Sequence, residues 1–286
     1  MRIQHNISAL NSYRQLGTNN NAMSKNLEKL SSGYRINRAG DDAAGLAISE
    51  KMRAQIKGLE TAQKNANDAI SLVQTAEGAL TEVHSMLNRM AELATQAANG
   101  TYTKGDGEDT EKIQLEIDEL IDEIDRIKDS TNFNGITLLD GSISGTTGKT
   151  GLAMQIGAEA TTTDVLTVTI ADMSSGVSGL QLHSVSAGIV AGGASAQATI
   201  DTIKNAIDKV SETRAQLGAW QNRLEHTINN LGVTTENITA AESRIRDTDM
   251  ASEMMAFTKN NILNQAAQSM LAQANQVPQG VLQLLQ

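Results

Sequence analysis

Apolar residues recur at three- and four-residue steps in three long stretches of the chain, a spacing that places them on one face of an α-helix. The first stripe consists of Ile70, Val73, Ala76, Leu80, Val83, Leu87, Met90 and Ala94. The second consists of Ile113, Ile117, Leu120, Ile124 and Ile127. The third consists of Ile200, Ile203, Ile207, Val210, Leu217, Leu224, Ile228 and Leu231. We expect the first two helices to pair antiparallel and the third to complete a bundle.

The two ends of the chain carry thinner apolar seams than the middle. The N-terminal seam is Ile3, Ile7, Leu10, Leu16, Met23, Leu27 and Leu30. The C-terminal seam is Leu263, Ala267, Met270, Ala274, Val277, Val281 and Leu284. Neither seam has a partner helix nearby in sequence, so each should be marginal in water until another helix covers it. Pro278 and Gly280 predict a kink or an early end in the C-terminal helix.

A short β region is expected between the second and third helices, at about residues 131–190. Residues 152–156 and 165–170 alternate apolar with small or polar side chains, the period of a half-buried strand. The segment Asn132-Phe133-Asn134-Gly135 has the composition of a chain reversal, and the apolar run after it stops at Asp140-Gly141. The pattern therefore predicts a mainly α fold with a small hairpin region in the middle.

Composition supports long helices and argues against several classes of partner. Aromatic residues are only 2% of the chain, which contains a single proline and 40% hydrophobic residues, so packing relies on aliphatic side chains. The net charge of -10 argues against nucleic acid binding. No stretch resembles a membrane span or a signal-peptide core, so composition by itself indicates a cytosolic helical protein.

Candidate catalytic chemistry is weak. The four histidines, His5, His84, His183 and His226, are dispersed, and cysteine is absent, so a zinc site would lack ligands. The carboxylate pair Asp41-Asp42 is more typical of a helix start than of acid–base catalysis, which needs an enclosing pocket. We therefore expect no enzymatic activity, no metal and no cofactor.

Long motifs at both ends resemble the bacterial flagellin family. Residues 27–48 read LEKLSSGYRINRAGDDAAGLAI and are similar to the N-terminal signature of flagellins. Residues 236–251, ENITAAESRIRDTDMA, and residues 271–279, LAQANQVPQ, resemble the C-terminal signature. The resemblance covers about residues 1–140 and 195–286, and its order and placement at the chain ends match the family.

The resemblance implies a structural subunit that polymerises into the flagellar filament for motility. An inner coiled-coil domain would comprise residues 1–43 and 244–286, and a helical bundle residues 44–243, without a large outer domain. The subunit would be secreted to the extracellular flagellum without a cleaved signal peptide, in place of the cytosolic location that composition indicates. Its partners would be other copies of itself, the hook-associated junction and cap proteins, and an export chaperone at the C-terminal region, with no membrane insertion.

Two sets of residues are carried over from the resemblance. The self-assembly set is Ile3, Ile7, Leu10, Leu27, Leu30, Arg35, Asn37, Asp41, Asp42, Leu263, Met270, Val277, Val281 and Leu284. The second set resembles the segment through which a vertebrate Toll-like receptor detects some flagellins, and it consists of Arg89, Glu92, Leu93 and Glu116. For this second set, packing between subunits is the alternative role.

Three other interpretations remain open at this level. A hook-associated junction protein shares flagellin-like ends and would connect the filament rather than build it. A secreted enzyme inserted in a flagellin frame would need a catalytic motif in residues 141–195, where His183 is the only histidine. A cytosolic coiled-coil scaffold would form discrete dimers, whereas a flagellin forms filaments above a threshold concentration.

Overall fold

The structure, a computed structural model, describes residues 6–99, 101–103, 109–145, 150–176, 179–185 and 194–284, with only the backbone for 194–196 and 277–284. Its helices are α1 (Ile7–Ser32), α2 (Ala43–Ala98), α3 (Asp109–Ser130), α4 (Ala194–Arg246) and α5 (Met250–Leu284). Its strands are β1 (Asn132–Phe133), β2 (Ile136–Thr137), β3 (Leu152–Gln155) and β4 (Val165–Val168). Two short 3₁₀ helices span Thr162–Asp164 and Leu182–Ser184. The predicted mainly α fold with a small β region is confirmed.

The chain divides into two compact units. The first comprises Met1–Ile56 and Glu236–Gln286, and the second comprises Lys57–Thr235. This division lies inside α2 and α4, whereas the family resemblance implies domain boundaries near residues 43 and 243. The physical reason is that the continuous buried face of α2 begins only at Leu59.

The second unit has a continuous apolar core. Most residues of the three predicted stripes are fully buried in it, among them Leu80, Leu87, Ile117, Val210 and Leu217. Leu120, which the α3 stripe includes, packs at the edge of the core, and the neighbouring Ile121 is buried instead. Several other stripe residues, including Ile70, Ile127 and Ile228, are also only partly buried and pack against this core.

Helix α2 begins well before the stripe that predicted it. Its earlier turns bury Ala62, Ala66 and Ala69, which are 1% exposed or less. Alanine is a weak signal in a hydrophobic pattern but packs closely and has the highest helix propensity. Together with the absence of proline before residue 278, this explains a helix of 56 residues.

The β region consists of two antiparallel pairs. Strands β1 and β2 pair Asn132 with Thr137 and are joined by Asn134 and Gly135, whose φ angles are 51° and 81°. Two successive positive φ angles define the tight hairpin turn that an Asn-Gly pair favours. Strands β3 and β4 pair residue by residue from Leu152 with Val168 to Gln155 with Val165.

Helix α5 continues through Pro278 and Gly280 to Leu284, so the expectation of an early end is wrong. Proline cannot donate the hydrogen bond that residue 278 would give to the carbonyl of Ala274. That carbonyl instead accepts a hydrogen bond of 2.8 Å from the side chain of Asn6. A replacement donor from another segment therefore accompanies the continued helix.

Candidate assembly surface

Helix α1 is well capped, but none of its residues is fully buried within the subunit. Its start is capped by Asn6, whose side-chain oxygen accepts a hydrogen bond of 3.1 Å from the backbone N–H of Ala9. Its end is closed by Gly33, which has a φ of 75° and donates to the carbonyl of Lys29. No residue of α1 is buried. The helix is thus defined locally, while its apolar side chains remain available to other surfaces.

Helix α5 packs against α1, and amide side chains provide direct contacts between the two. Asn264 donates to the side-chain oxygen of Asn20, and Asn6 donates to the carbonyl of Ala274. Among the α5 side chains that the structure describes, Asn264 is the buried one, at 8% exposure. A seam whose buried position is polar gains little hydrophobic stabilisation from the pair alone.

The predicted seam residues lie partly exposed on these two helices. Ile7, Leu10 and Leu27 on α1 are 61%, 58% and 56% exposed. Leu263 and Met270 on α5 are 41% and 63% exposed, and Leu30 is half-buried. Four other members of the set lie outside the described part of the structure: Ile3 entirely, and Val277, Val281 and Leu284 in their side chains.

The segment that connects α1 to α2, residues 33–42, pairs with the segment that connects α4 to α5, residues 247–249. Tyr34 forms an antiparallel β-bridge with Asp247, and the Arg35 N–H donates to the carbonyl of Arg246 at 2.6 Å. The guanidinium of Arg35 also donates to the carbonyl of Ile245, in the last turn of α4. Arg35 therefore caps a helix C-terminus, where a cation is favourable.

A second arginine packs at the same junction. The guanidinium of Arg246 lies 4.7 Å from the centroid of the Tyr34 ring, a cation–π arrangement. Its Nη1 donates to Oε1 of Glu50 at 2.7 Å. This hydrogen bond is the main reason that the pKa of Glu50 lies below its ordinary value. These contacts connect the start of α2 to the end of α4 within the first unit.

The predicted residues Asn37, Asp41 and Asp42 form the turn that starts α2. Oδ2 of Asp41 accepts hydrogen bonds from the backbone of Arg38 at 3.1 Å and of Asn37 at 3.3 Å, and the Arg38 bond most strongly lowers the pKa of Asp41. Oδ1 of Asp42 accepts from the N–H of Gly45 at 2.9 Å. Both carboxylates act as backbone acceptors in this turn, as expected for a helix start.

Exposed apolar side chains are concentrated in the first unit. Among the described residues, fifteen large hydrophobic side chains are exposed, and twelve of them belong to this unit. These twelve are Ile7, Leu10, Tyr13, Leu27, Tyr34, Ile48, Met250, Met254, Met255, Ile262, Leu263 and Met270. Such clustering is typical of a surface that another protein covers.

The four residues carried over as receptor contacts do not share one environment. Arg89 forms ion pairs with Glu116 at 2.8 Å and Glu92 at 3.3 Å, and the Glu116 hydrogen bond contributes most to raising the pKa of Arg89. Leu93 is only 2% exposed and belongs to the core of the second unit. The structure does not support Leu93 as a surface contact, because its spacing from Leu87 and Met90 places it on the buried face of α2.

Sequence reasoning missed the contacts made by Asn6, Asn20, Tyr34, Glu50 and Arg246. The one available signal was the occurrence of asparagines inside an apolar seam, where they often specify register. The described part of the chain contains no group of three or more metal-ligating side chains placed to hold an ion. No described helix is both long and apolar enough to span a bilayer.

Comparisons with known proteins match both halves of the chain. Residues 3–144 match the family model of the bacterial flagellin N-terminal helical region, and residues 200–285 match that of the C-terminal helical region. Flagellin from Bacillus subtilis strain 168 is 56% identical over 306 residues, with 100% of both chains covered. The flagellar filament 30.7 kDa core protein of Treponema maltophilum is 46% identical over 288 residues, again with 100% of both covered. The crystal structure of Bacillus cereus flagellin is 35% identical and covers 63% of this chain and 94% of that chain, with a TM-score of 0.48.

Proposed function

The chain belongs to the bacterial flagellin family and is a structural subunit that polymerises into the flagellar filament, and from this premise we propose that α1 and α5 carry the surface through which its copies join. The observation that supports this assignment is the concentration of exposed apolar side chains on the first unit. A second copy is the occupant that the polymer itself supplies.

The energetics favour contacts between copies over stabilisation within one subunit. Complete burial of a Leu, Ile or Met side chain contributes about 1.5–3 kcal/mol. Leu10, Leu27 and Met270 remain more than half exposed, so most of that stabilisation is not realised in the isolated chain. Because α1 has no fully buried residue within the subunit, contacts with neighbouring copies can add apolar burial that the α1–α5 pair does not provide.

The test is seeded elongation with a substitution at Leu10, which is 58% exposed. Filament fragments are mixed with purified subunit, and the critical concentration is measured as the monomer concentration that remains at equilibrium. Leu10→Asp should raise it more than about tenfold, because a charge would be buried between copies. The matched control Leu10→Met keeps the side chain apolar and should stay within about twofold of wild type.

Normal elongation by Leu10→Asp would refute the assignment of α1 to the contact surface. Deletion of residues 1–30 or of residues 260–286 provides a coarser check, since either deletion removes one partner of the α1–α5 pair. Both truncated chains should fail to extend the seeds. If they elongate as well as the intact chain, the joining surface lies elsewhere.

The same exposed helices are also proposed to bind other flagellar proteins, before export and at the ends of the finished filament. We propose that an export chaperone covers α5, whose Met254, Met255 and Met270 are at least half exposed. Hook-associated junction and cap proteins would cover the same unit at the filament ends. Purified chaperone should bind wild-type chain and should bind Met270→Asp at least about tenfold more weakly. Equal binding would remove α5 from the chaperone site.

Export is proposed to occur without cleavage of a signal peptide. One relative is named as a flagellin and another as a flagellar filament core protein. The first residues contain Arg2 and His5 rather than an apolar core. Intact-mass spectrometry of isolated filaments should give a subunit that retains the residues after Met1. A subunit shortened by 15–30 residues, the usual length of a signal peptide, would contradict this proposal.

A second proposal is recognition by a vertebrate Toll-like receptor through Arg89, Glu92 and Glu116. It is supported by the two ion pairs, which hold the half-exposed Arg89 in one orientation. Purified monomer should activate receptor-bearing reporter cells, and Arg89→Ala should raise the half-maximal dose at least about tenfold. The matched control is Arg126→Ala, because Arg126 forms a comparable exposed pair with Glu123 on α3. Inactivity of the wild-type monomer at every dose would refute this proposal.

A further inference from the structure

Asn6 uses the two ends of its side-chain amide on two different helices. The oxygen accepts the N–H of Ala9 at 3.1 Å and so caps α1. The nitrogen donates to the carbonyl of Ala274 in α5 at 2.8 Å. An amide is suited to this double role because it carries both an acceptor oxygen and a donor nitrogen. Serine or aspartate at residue 6 could still cap the helix but would lack this amide donor.

The carbonyl of Ala274 is a specific backbone acceptor. In an α-helix the carbonyl of residue 274 pairs with the N–H of residue 278. Residue 278 is the single proline of the chain, and proline has no N–H. The contact with Asn6 therefore supplies a donor at the α5 position where the helix cannot provide one itself.

A second amide pair lies further along the two helices. Asn264 donates to Asn20, and Asn264 is buried, with 8% exposure. An asparagine at a buried seam position favours the register in which a polar partner faces it. A shift of α5 along α1 would move both amide contacts away from their partners, leaving partly buried polar groups unpaired.

We propose that Asn6 supplies the hydrogen bond that Pro278 cannot make and thereby sets, together with the Asn20–Asn264 pair, the register of α1 on α5. Pro278 thereby fixes which turn of α5 faces Asn6, because it leaves the carbonyl of Ala274 without its helical donor. The proposal rests on the proposed role of the α1–α5 pair in assembly.

A double-mutant cycle tests the link between residues 6 and 278. Asn6→Ser retains the cap of α1 but is too short to reach α5, and Pro278→Ala restores the N–H that pairs with Ala274. Asn6→Ser should raise the critical concentration of seeded elongation about tenfold in the wild-type background, the scale expected for an unpaired, partly buried acceptor. In the Pro278→Ala background the same change should have less than about a twofold effect.

The cycle distinguishes the two proposals. If Asn6→Ser has the same effect in both backgrounds, or no effect in the wild type, the register proposal is wrong, whatever the outcome at Leu10. If Leu10→Asp elongates normally while the cycle shows coupling, the assembly surface is wrong but the contact within the subunit stands.

Cysteine pairs give a measurement that does not require a substitution of Pro278. The chain contains no cysteine, so introduced thiols can pair only with each other. In filaments, Asn26→Cys with Asn260→Cys, two positions whose side-chain amides face each other across α1 and α5, should cross-link in the observed register and leave the Asn20–Asn264 pair intact. Asn26→Cys with Ala267→Cys reports a shift of one heptad. Adding Asn6→Ser should reduce the first product at least about threefold and increase the second. An unchanged ratio of products would overturn the proposal.

Discussion

Replacement of Ile36 is the most direct test of what stabilises the first unit. Ile36 lies between α1 and α2 and is 2% exposed. Among the described residues of this unit it is the one buried large apolar side chain, whereas the second unit buries many. Loss of this side chain should therefore affect the first unit far more than a comparable loss would affect a large core.

The expected magnitude follows from the packing around Ile36. The side chain packs closely against the start of α2, since a Cβ atom added at Gly45 would lie 2.8 Å from Cδ1 of Ile36. Ile→Ala in a packed site costs about 2–5 kcal/mol, and Ile→Val about 0.5–1.5 kcal/mol. Neighbouring side chains at this junction are partly exposed and can relax, so we expect the lower end, about 2 kcal/mol, for Ile36→Ala.

The assay is the critical concentration of seeded elongation. If incorporation requires an ordered first unit, about 2 kcal/mol corresponds to an increase of about 30-fold for Ile36→Ala, and Ile36→Val should show about a two- to tenfold increase. The ranking of the two variants matters as much as the size of the effect. Wild-type elongation by Ile36→Ala, or an equal loss in both variants, would refute the reasoning that buried volume at this position stabilises the unit.

Two further predictions concern the start of α2. Gly45→Ala should destabilise the chain by about 1–2 kcal/mol in urea unfolding, because the new Cβ would lie 2.5 Å from Oδ2 of the capping Asp42. Gly78→Ala is the matched control, since Gly78 is a helical glycine with open space, and it should stabilise by about 0.5–1 kcal/mol. Equal effects of the two alanines would contradict this prediction. The hydrogen bond from Arg246 lowers the folded pKa of Glu50, so its stabilisation is present above the unfolded pKa and is lost as the pH falls through the folded pKa. In thermal unfolding, the difference between wild type and Glu50→Gln should be constant above the ordinary pKa range of glutamate and shrink as the pH falls through the lowered folded pKa, and a difference that grows with acidification would contradict the assignment.

Local rules predicted the parts of the fold that local chemistry determines. The Asn134-Gly135 turn requires two positive φ angles, and few residue pairs other than Asn-Gly adopt them readily. The buried face of α3 was equally predictable, because its isoleucines recur at helical spacing among carboxylates and so lie on one apolar face. The early part of α2 was missed because its buried residues are alanines, which a hydrophobic pattern scarcely distinguishes from surface positions.

The contacts at the candidate surface were less predictable because they depend on pairing across the length of the chain. Asn6 and Ala274 are separated by 268 residues, and no periodicity in either segment indicates the other. Pro278 was interpreted from helix propensity alone, which predicts an interruption. The structure shows that a donor from a distant segment accompanies the continuous helix, a tertiary effect that propensity does not include.

The absence of buried residues in α1 has a consequence for the heat of polymerisation. Burial of apolar surface carries a negative heat-capacity change, and it accompanies whichever step covers the surface. Ile7, Leu10 and Leu27 are exposed in the isolated subunit, so on the proposed assembly surface that step would be the addition of a subunit rather than the folding of the monomer. Elongation should therefore become more exothermic as the temperature rises, and cooling should weaken the hydrophobic contribution that favours the filament.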